Sequence, residues 1–269
     1  MKAIFTSVFF IIFTAAAFCG GSSELANTQE IDLSGVTDLR IIYSFEDVTF
    51  YKGNTNSLII KEYMSEIDKR YFAVINKYGN TLTIENGQVP VRPIFKNFQR
   101  RLEVFLPVSY KNIINIKTSS GNIETPDIAC STLNIVTTSG DVSTNSINTN
   151  ITHIKTTSGN VRTGKISGNA DVITTSGGIT CEVDLKAGDL IFNSTSGRVN
   201  LILPRNLQFR FSSKSASGKL TTPFSSVLSQ AADDKNLTQG VVRDNAGGSG
   251  VIPLIDIATT SGDITVEWQ

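Results

Sequence analysis

The chain has 269 residues, with 24 Lys plus Arg against 24 Asp plus Glu, so its formal net charge is zero. That balance excludes a nucleic-acid binder working by bulk phosphate neutralisation, and 40% hydrophobic with 18% charged residues excludes wholesale disorder. Three cysteines and one histidine are too few for a disulfide scaffold or a multi-histidine metal centre.

Residues 1–20 read as a secretory signal peptide. Lys2 gives a basic start, Ala3 to Phe18 carries no charge, and Ala15, Ala16 and Ala17 supply small residues before cleavage. The apolar run is short for a membrane span and no later run is longer, so the mature chain is expected to have no transmembrane span. Cys19, followed by Gly20, Gly21 and Ser22, offers a second reading, a lipoprotein leader lipidated at Cys19. A single acyl chain anchors only marginally without a second signal.

The remainder, 21–269, reads as a single β domain. Within 31–110, strand patterns occur at Leu39 to Tyr43, Val48 to Tyr51, Ser57 to Ile60, Thr81 to Ile84 and Leu102 to Leu106, separated by turn signals at Lys52-Gly53-Asn54 and Tyr78-Gly79-Asn80. This section is expected to form irregular N-terminal rungs and a cap of the coil described next, a separate β domain being the alternative. The charged stretch Lys61 to Arg70 and the basic residues Arg92, Lys96, Arg100 and Arg101 read as a solvated edge that resists strand pairing. Contact with an acidic wall polymer or a lipid headgroup is the functional alternative.

Residues 111–223 carry a repeat. Ser-Gly recurs at Ser120-Gly121, Ser139-Gly140, Ser158-Gly159, Ser176-Gly177, Ser196-Gly197, Ser217-Gly218 and once more at Ser261-Gly262, with steps of 19, 19, 18, 20, 21 and 44. Three residues after each serine stands a branched aliphatic: Ile123, Val142, Val161, Ile179, Val199, Leu220 and Ile264. Six and four before it the chain is mostly apolar, alternating with polar residues, which is the period of a strand with one buried face. A second short strand follows the glycine, which is expected to turn the chain with positive φ. Two before the serine stand Thr118, Thr137, Thr156, Thr174, Ser194, Ser215 and Thr259. These point inward and read as a structural hydroxyl ladder, since buried hydroxyls need partners. With no basic residue in phase they do not read as activated nucleophiles.

A rung of about 19 residues cannot enclose a core alone, and stacking like rungs does so. The expected fold is all-β, a parallel β-helix or solenoid. Cys130 and Cys181 fall at different phases of the rung and are expected as two isolated thiols. Residues 224–250, rich in Ser, Asn, Asp and Gly, read as a protruding insertion loop, and 251–269 as the last rung.

No catalytic, cofactor-binding or metal-binding residue is expected. The outward column five before the serine begins Asn115, Asn134, His153, Asp171, and this polar stripe is the candidate glycan- or ion-binding site, against a plain solvated strand face. A glycan-active β-helix enzyme is the weakest reading, because such enzymes need clustered carboxylates.

The TTSGDV-type repeats, with Val104-Phe105-Leu106-Pro107, Leu201-Ile202-Leu203-Pro204 and the closing Thr259-Thr260-Ser261-Gly262-Asp263-Ile264, resemble the bacterial putative-adhesin family of domains of unknown function over roughly 31–269. The resemblance implies a right-handed single-stranded β-helix in an exported envelope protein. With no carboxylate cluster to read, no enzyme activity is expected, and the expected partner is a surface glycan or an envelope protein. The resemblance also implies, as an alternative, an accessory protein of envelope-stress sensing. It assigns no binding residues.

Overall fold

The structure is a computed structural model that describes residues 23–88, 98–243 and 252–269. The leader, Cys19, Arg92 and Lys96 lie outside the described residues. The strands, in chain order, are β1 (Glu24–Ile31), β2 (Asp38–Ile42), β3 (Asp47–Gly53), β4 (Leu58–Met64), β5 (Val74–Tyr78), β6 (Thr81–Glu85), β7 (Arg100–Pro107), β8 (Ile113–Lys117), β9 (Ile123–Ala129) and β10 (Thr132–Val136). They continue with β11 (Val142–Lys155), β12 (Val161–Thr174), β13 (Ile179–Ser194), β14 (Val199–Leu203), β15 (Phe209–Ser215), β16 (Leu220–Thr221), β17 (Leu228–Gln230), β18 (Leu237–Val242), β19 (Leu254–Thr259) and β20 (Ile264–Trp268). The chain is all-β and solenoid-like. No helix among the described residues is long and apolar enough to cross a membrane.

Each rung is a strand, a corner and a second strand, and the rungs stack in parallel. Before the corner, Ile114 pairs with Leu133, Leu133 with Thr152, Thr152 with Ala170 and Ala170 with Leu190. After it, Ile123 pairs with Val142, then Val161, Ile179 and Val199. Like columns therefore lie on like columns. Period-two alternation sends one face of each strand inward, and Ile114, Leu133, Val161, Leu190 and Val199 are fully buried. Cys181 lies between Thr163 and Leu201, and both Cys130 and Cys181 are free and buried. Burial pushes the Cys130 thiol up to about 11 and the Cys181 thiol up to about 12.

At both ends, spatial order departs from chain order. Rung β2–β3 lies inside rung β6–β7: β2 pairs with β6 and β8, and β3 with β7 and β9. At the other end, β19 inserts between β13 and β15, and β20 between β14 and β16. The last rung in sequence is thus not the last in space. The segment expected to protrude as an insertion loop, 224–250, is described to residue 243. There it forms β17 and β18, which add antiparallel strands beyond β15. The physical reason is the open end of the coil: a parallel stack leaves an unpaired edge and an open core, which terminal elements must cover. Phe209, Phe211 and Phe224 close that end with Trp268, ring centroids 5.2–6.3 Å apart. At the opposite end β4, β1 and β5 are antiparallel caps.

Candidate functional site

The corner of each rung is held by backbone bonds that use the repeat's own side chains. The inward hydroxyl accepts from the glycine N–H of its own rung, as Thr137 does from Gly140, Thr156 from Gly159 and Thr174 from Gly177, all at 3.1 Å. The same hydroxyl donates to the glycine carbonyl of the neighbouring rung: Thr156 to Gly140 at 3.4 Å, Thr174 to Gly159 at 3.1 Å and Ser194 to Gly177 at 3.1 Å. The ladder continues through the inserted rung, where Thr259 donates to Gly197.

The glycine expectation is corrected. Positive φ is confined to Gly35, Gly79 and Gly168 among the described residues, and the corner glycines of the repeat, Gly121, Gly140, Gly159, Gly177, Gly197, Gly218 and Gly262, are not among them. They are glycine because the backbones touch: a Cβ on Gly140 would lie 1.9 Å from the Gly121 oxygen, and one on Gly159 1.9 Å from the Gly140 oxygen.

The position after the corner glycine, held by Asp47, Asn122, Asp141 and Asn160 in successive rungs, forms a second ladder. Asp47 accepts from the backbone N–H of Asn122, Asn122 from Asp141, Asp141 from Asn160 and Asn160 from Gly178, at 2.7–2.9 Å. Short acceptors are needed there because each side chain must reach one rung along the stack. The recurring Asn, Asp, Asn was the visible signal.

In the two N-terminal rungs the corner is built differently. The register places Tyr43 in the threonine column and Glu46 and Arg100 in the glycine column. Arg100 donates through Nε to Glu46 at 2.8 Å, with Nη2 also on Glu46, and through Nη1 to the Tyr71 carbonyl at 2.7 Å. Both side chains of this ion pair are buried. The expected solvated edge is therefore corrected at two residues. Arg100 sits inside, matched by Glu46, and Glu62 of β4 is fully buried. Glu62 accepts from Asn27 and the Ala73 N–H at 2.9 Å and from the Tyr43 hydroxyl at 3.3 Å. Burial raises its carboxyl above the ordinary range, partly offset by these bonds and by Arg100. Tyr43 is likewise pushed well up, by burial first and the Glu62 charge second.

The polar stripe is brought together. Asn115, Asn134, His153 and Asp171 are direct partners in successive rungs and face outward. Asn134 donates to Asn115 and Asn115 to Asp38, each at 2.7 Å, so the stripe extends into the N-terminal rungs. His153 Nδ1 lies 3.9 Å from Asp171 Oδ2, and the shielded Asp171 Oδ1 has no hydrogen-bond partner.

No curated protein matches the chain. Similar solved structures include a putative cell adhesion protein from Clostridium sporogenes, 12% identical with a TM-score of 0.42 over 92% of this chain and 100% of that one. Another is a putative adhesin from Bacteroides fragilis, 12% identical with a TM-score of 0.39 over 89% and 95%. A third, a putative lipid binding protein from Parabacteroides distasonis, is 14% identical with a TM-score of 0.40 over 89% and 96%. A family model described as Toastrack DUF4097 matches residues 36–163 and again 112–267. Between them these matches take in the N-terminal rungs, the regular repeats and the inserted last rung, and the chain belongs to the Toastrack DUF4097 family.

Proposed function

We propose that the chain is an exported cell-envelope protein whose β-solenoid acts as an adhesion or interaction module without catalytic activity. In this reading the coil is a right-handed single-stranded β-helix with rungs of about 19 residues, the hand that parallel strand connections overwhelmingly take. Residues 1–20 are its export leader, with Cys19 as the lipidation site if the leader is of the lipoprotein kind. The partner is a surface glycan or an envelope protein.

The observation that carries the reading is how the repeat side chains are used. The inward hydroxyls Thr156, Thr174 and Ser194 each make two backbone hydrogen bonds, and Asn122, Asp141 and Asn160 accept from the next rung. Groups so engaged hold the coil rather than attack a substrate. The side chains left for recognition are outward ladders at rung spacing, the stripe of Asn115, Asn134, His153 and Asp171 foremost. Such ladders suit a long partner gripped along a face. A glycan array probed with the full chain tests this. Binding to a surface polysaccharide, weakened by Asn134→Ala with Asp171→Ala, is the expected result. A chain that stays folded and binds no glycan and no envelope protein overturns the reading.

A further inference from the structure

A second outward surface lies on β3, β7 and β4, after the corner and near the N-terminal end. Period-two alternation puts Tyr51, Phe105, Glu103, Arg101, Lys61 and Tyr63 on the outer face of these strands. Tyr51 and Phe105 are stacked, centroids 5.0 Å apart and planes 20° from parallel. Lys61 Nζ stands 4.7 Å over the Phe105 ring, and the Arg101 guanidinium 3.9 Å over Tyr63. The Tyr63 hydroxyl donates to Glu103 at 3.0 Å and Arg101 to Glu103 at 3.2 Å, which holds the Tyr63 ring and the guanidinium over it in place. Beside Tyr51 opens a cavity of about 200 Å³ lined by Tyr51, Leu106, Pro107, Val108, Lys111 and Pro126, among others.

Cross-strand pairing explains why these rings touch each other. It does not explain why they are kept in water on a face that is ordinarily polar, with Tyr51 40% and Val108 61% exposed. Nor does it explain the charge. Lys61 and Lys111 form no ion pair among the described residues, whereas Glu103 is already held by Tyr63 and Arg101, and Asp127 by Lys52 at 2.7 Å. The surface therefore combines ring faces, whose quadrupole attracts the polarised C–H face of a sugar, with cations lacking a carboxylate of their own.

We propose that this aromatic platform binds an acidic glycan, a sugar ring lying on the free face of Tyr51, which Phe105 backs from the other side, and the acidic groups facing Lys61 and Lys111. The proposal rests on the interaction-module reading and names a ligand class for it. The test titrates the full chain with polygalacturonate oligomers and, in parallel, with a neutral galactan and with vesicles containing phosphatidylglycerol. Polygalacturonate should bind, the neutral polymer about tenfold more weakly, and added salt should weaken the acidic partner. Tyr51→Ala and Lys61→Gln should each reduce affinity about tenfold, and Tyr51→Phe, which keeps the ring face, should not. Tyr51 is exposed and Lys61 half-buried, and unchanged unfolding midpoints confirm that the three variants fold. Binding that survives Tyr51→Ala and Lys61→Gln but is lost in Asn134→Ala moves the ligand to the stripe and overturns this proposal while leaving the interaction reading in place. Binding to the vesicles but not to polygalacturonate overturns it in favour of a lipid surface. Absence of binding to any glycan or envelope protein overturns both.

Discussion

Gly177 and Gly178 are adjacent, both lack positive φ, and the structure gives them opposite tolerances. A Cβ on Gly177 would lie 1.8 Å from the Gly159 oxygen and 2.5 Å from its carbonyl carbon. A Cβ on Gly178 would meet nothing closer than the Arg198 oxygen at 3.3 Å. Restoring ordinary contact at Gly177 requires the rungs to part locally by more than about 1 Å. The Thr174 hydroxyl then loses its bonds to the Gly177 N–H and the Gly159 oxygen, both now 3.1 Å. Overpacking costs about 1–3 kcal/mol and each lost bond about 1 kcal/mol, so Gly177→Ala should destabilise by about 3–5 kcal/mol. Gly178→Ala should stay within about 0.5 kcal/mol of the parent, since reduced freedom of the unfolded chain offsets a small shift of Arg198. Urea unfolding of the two variants measures both. Equal midpoints would mean that the glycine column is not set by backbone contact between rungs, and the corner geometry described here would be wrong.

The buried carboxylate gives a prediction in pH. Because Glu62 binds its proton more tightly folded than unfolded, its contribution favours folding below the ordinary carboxylate value and is lost as pH rises through the folded value. Glu62→Gln keeps acceptors for Asn27 and Ala73 and removes the charge, so its stability should fall less steeply over that window in denaturation curves taken across pH. Glu62→Ala, which strands the Ala73 N–H, should cost about 1–3 kcal/mol below the ordinary carboxylate value and less as pH rises through the folded value. Val161 is fully buried between Val142 and Ile179, and Val161→Asp should destabilise by about 3 kcal/mol or more, whereas Thr157→Asp, on the exposed corner, should change the unfolding midpoint by about 0.5 kcal/mol or less. Mass spectrometry of protein from the native cell should find residues 1–17 removed; an intact Met1 terminus on folded cytosolic protein would remove export from the account.

The middle of the coil was legible because stacked rungs repeat their environment. Val142, Val161 and Ile179 share one surrounding, so one residue class recurs at a fixed step, and register follows from the spacing. The N-terminal rungs obey the same register with different chemistry. Tyr43 fills the place of a threonine, and Glu46 with Arg100 replaces two glycines by an ion pair, so the frame leaves no Ser-Gly to read. The insertion of β19–β20 between earlier rungs was not legible either. Parallel pairing over long sequence separation leaves no local signal, and Ile264 matches the column equally well at any height in the stack. The stripe was readable because the repeat spacing gave its register and strand parity its outward face. The aromatic platform was not, because Tyr51, Phe105 and Tyr63 come from strands whose pairing the repeat does not specify.

The most direct test of the account is one incubation of the full chain with purified surface polysaccharide, read for co-sedimentation of protein with polymer and for polymer length afterwards. Folded protein should sediment with the polymer and leave its length unchanged. Polymer shortened by the folded chain, above a heat-killed control, would contradict it.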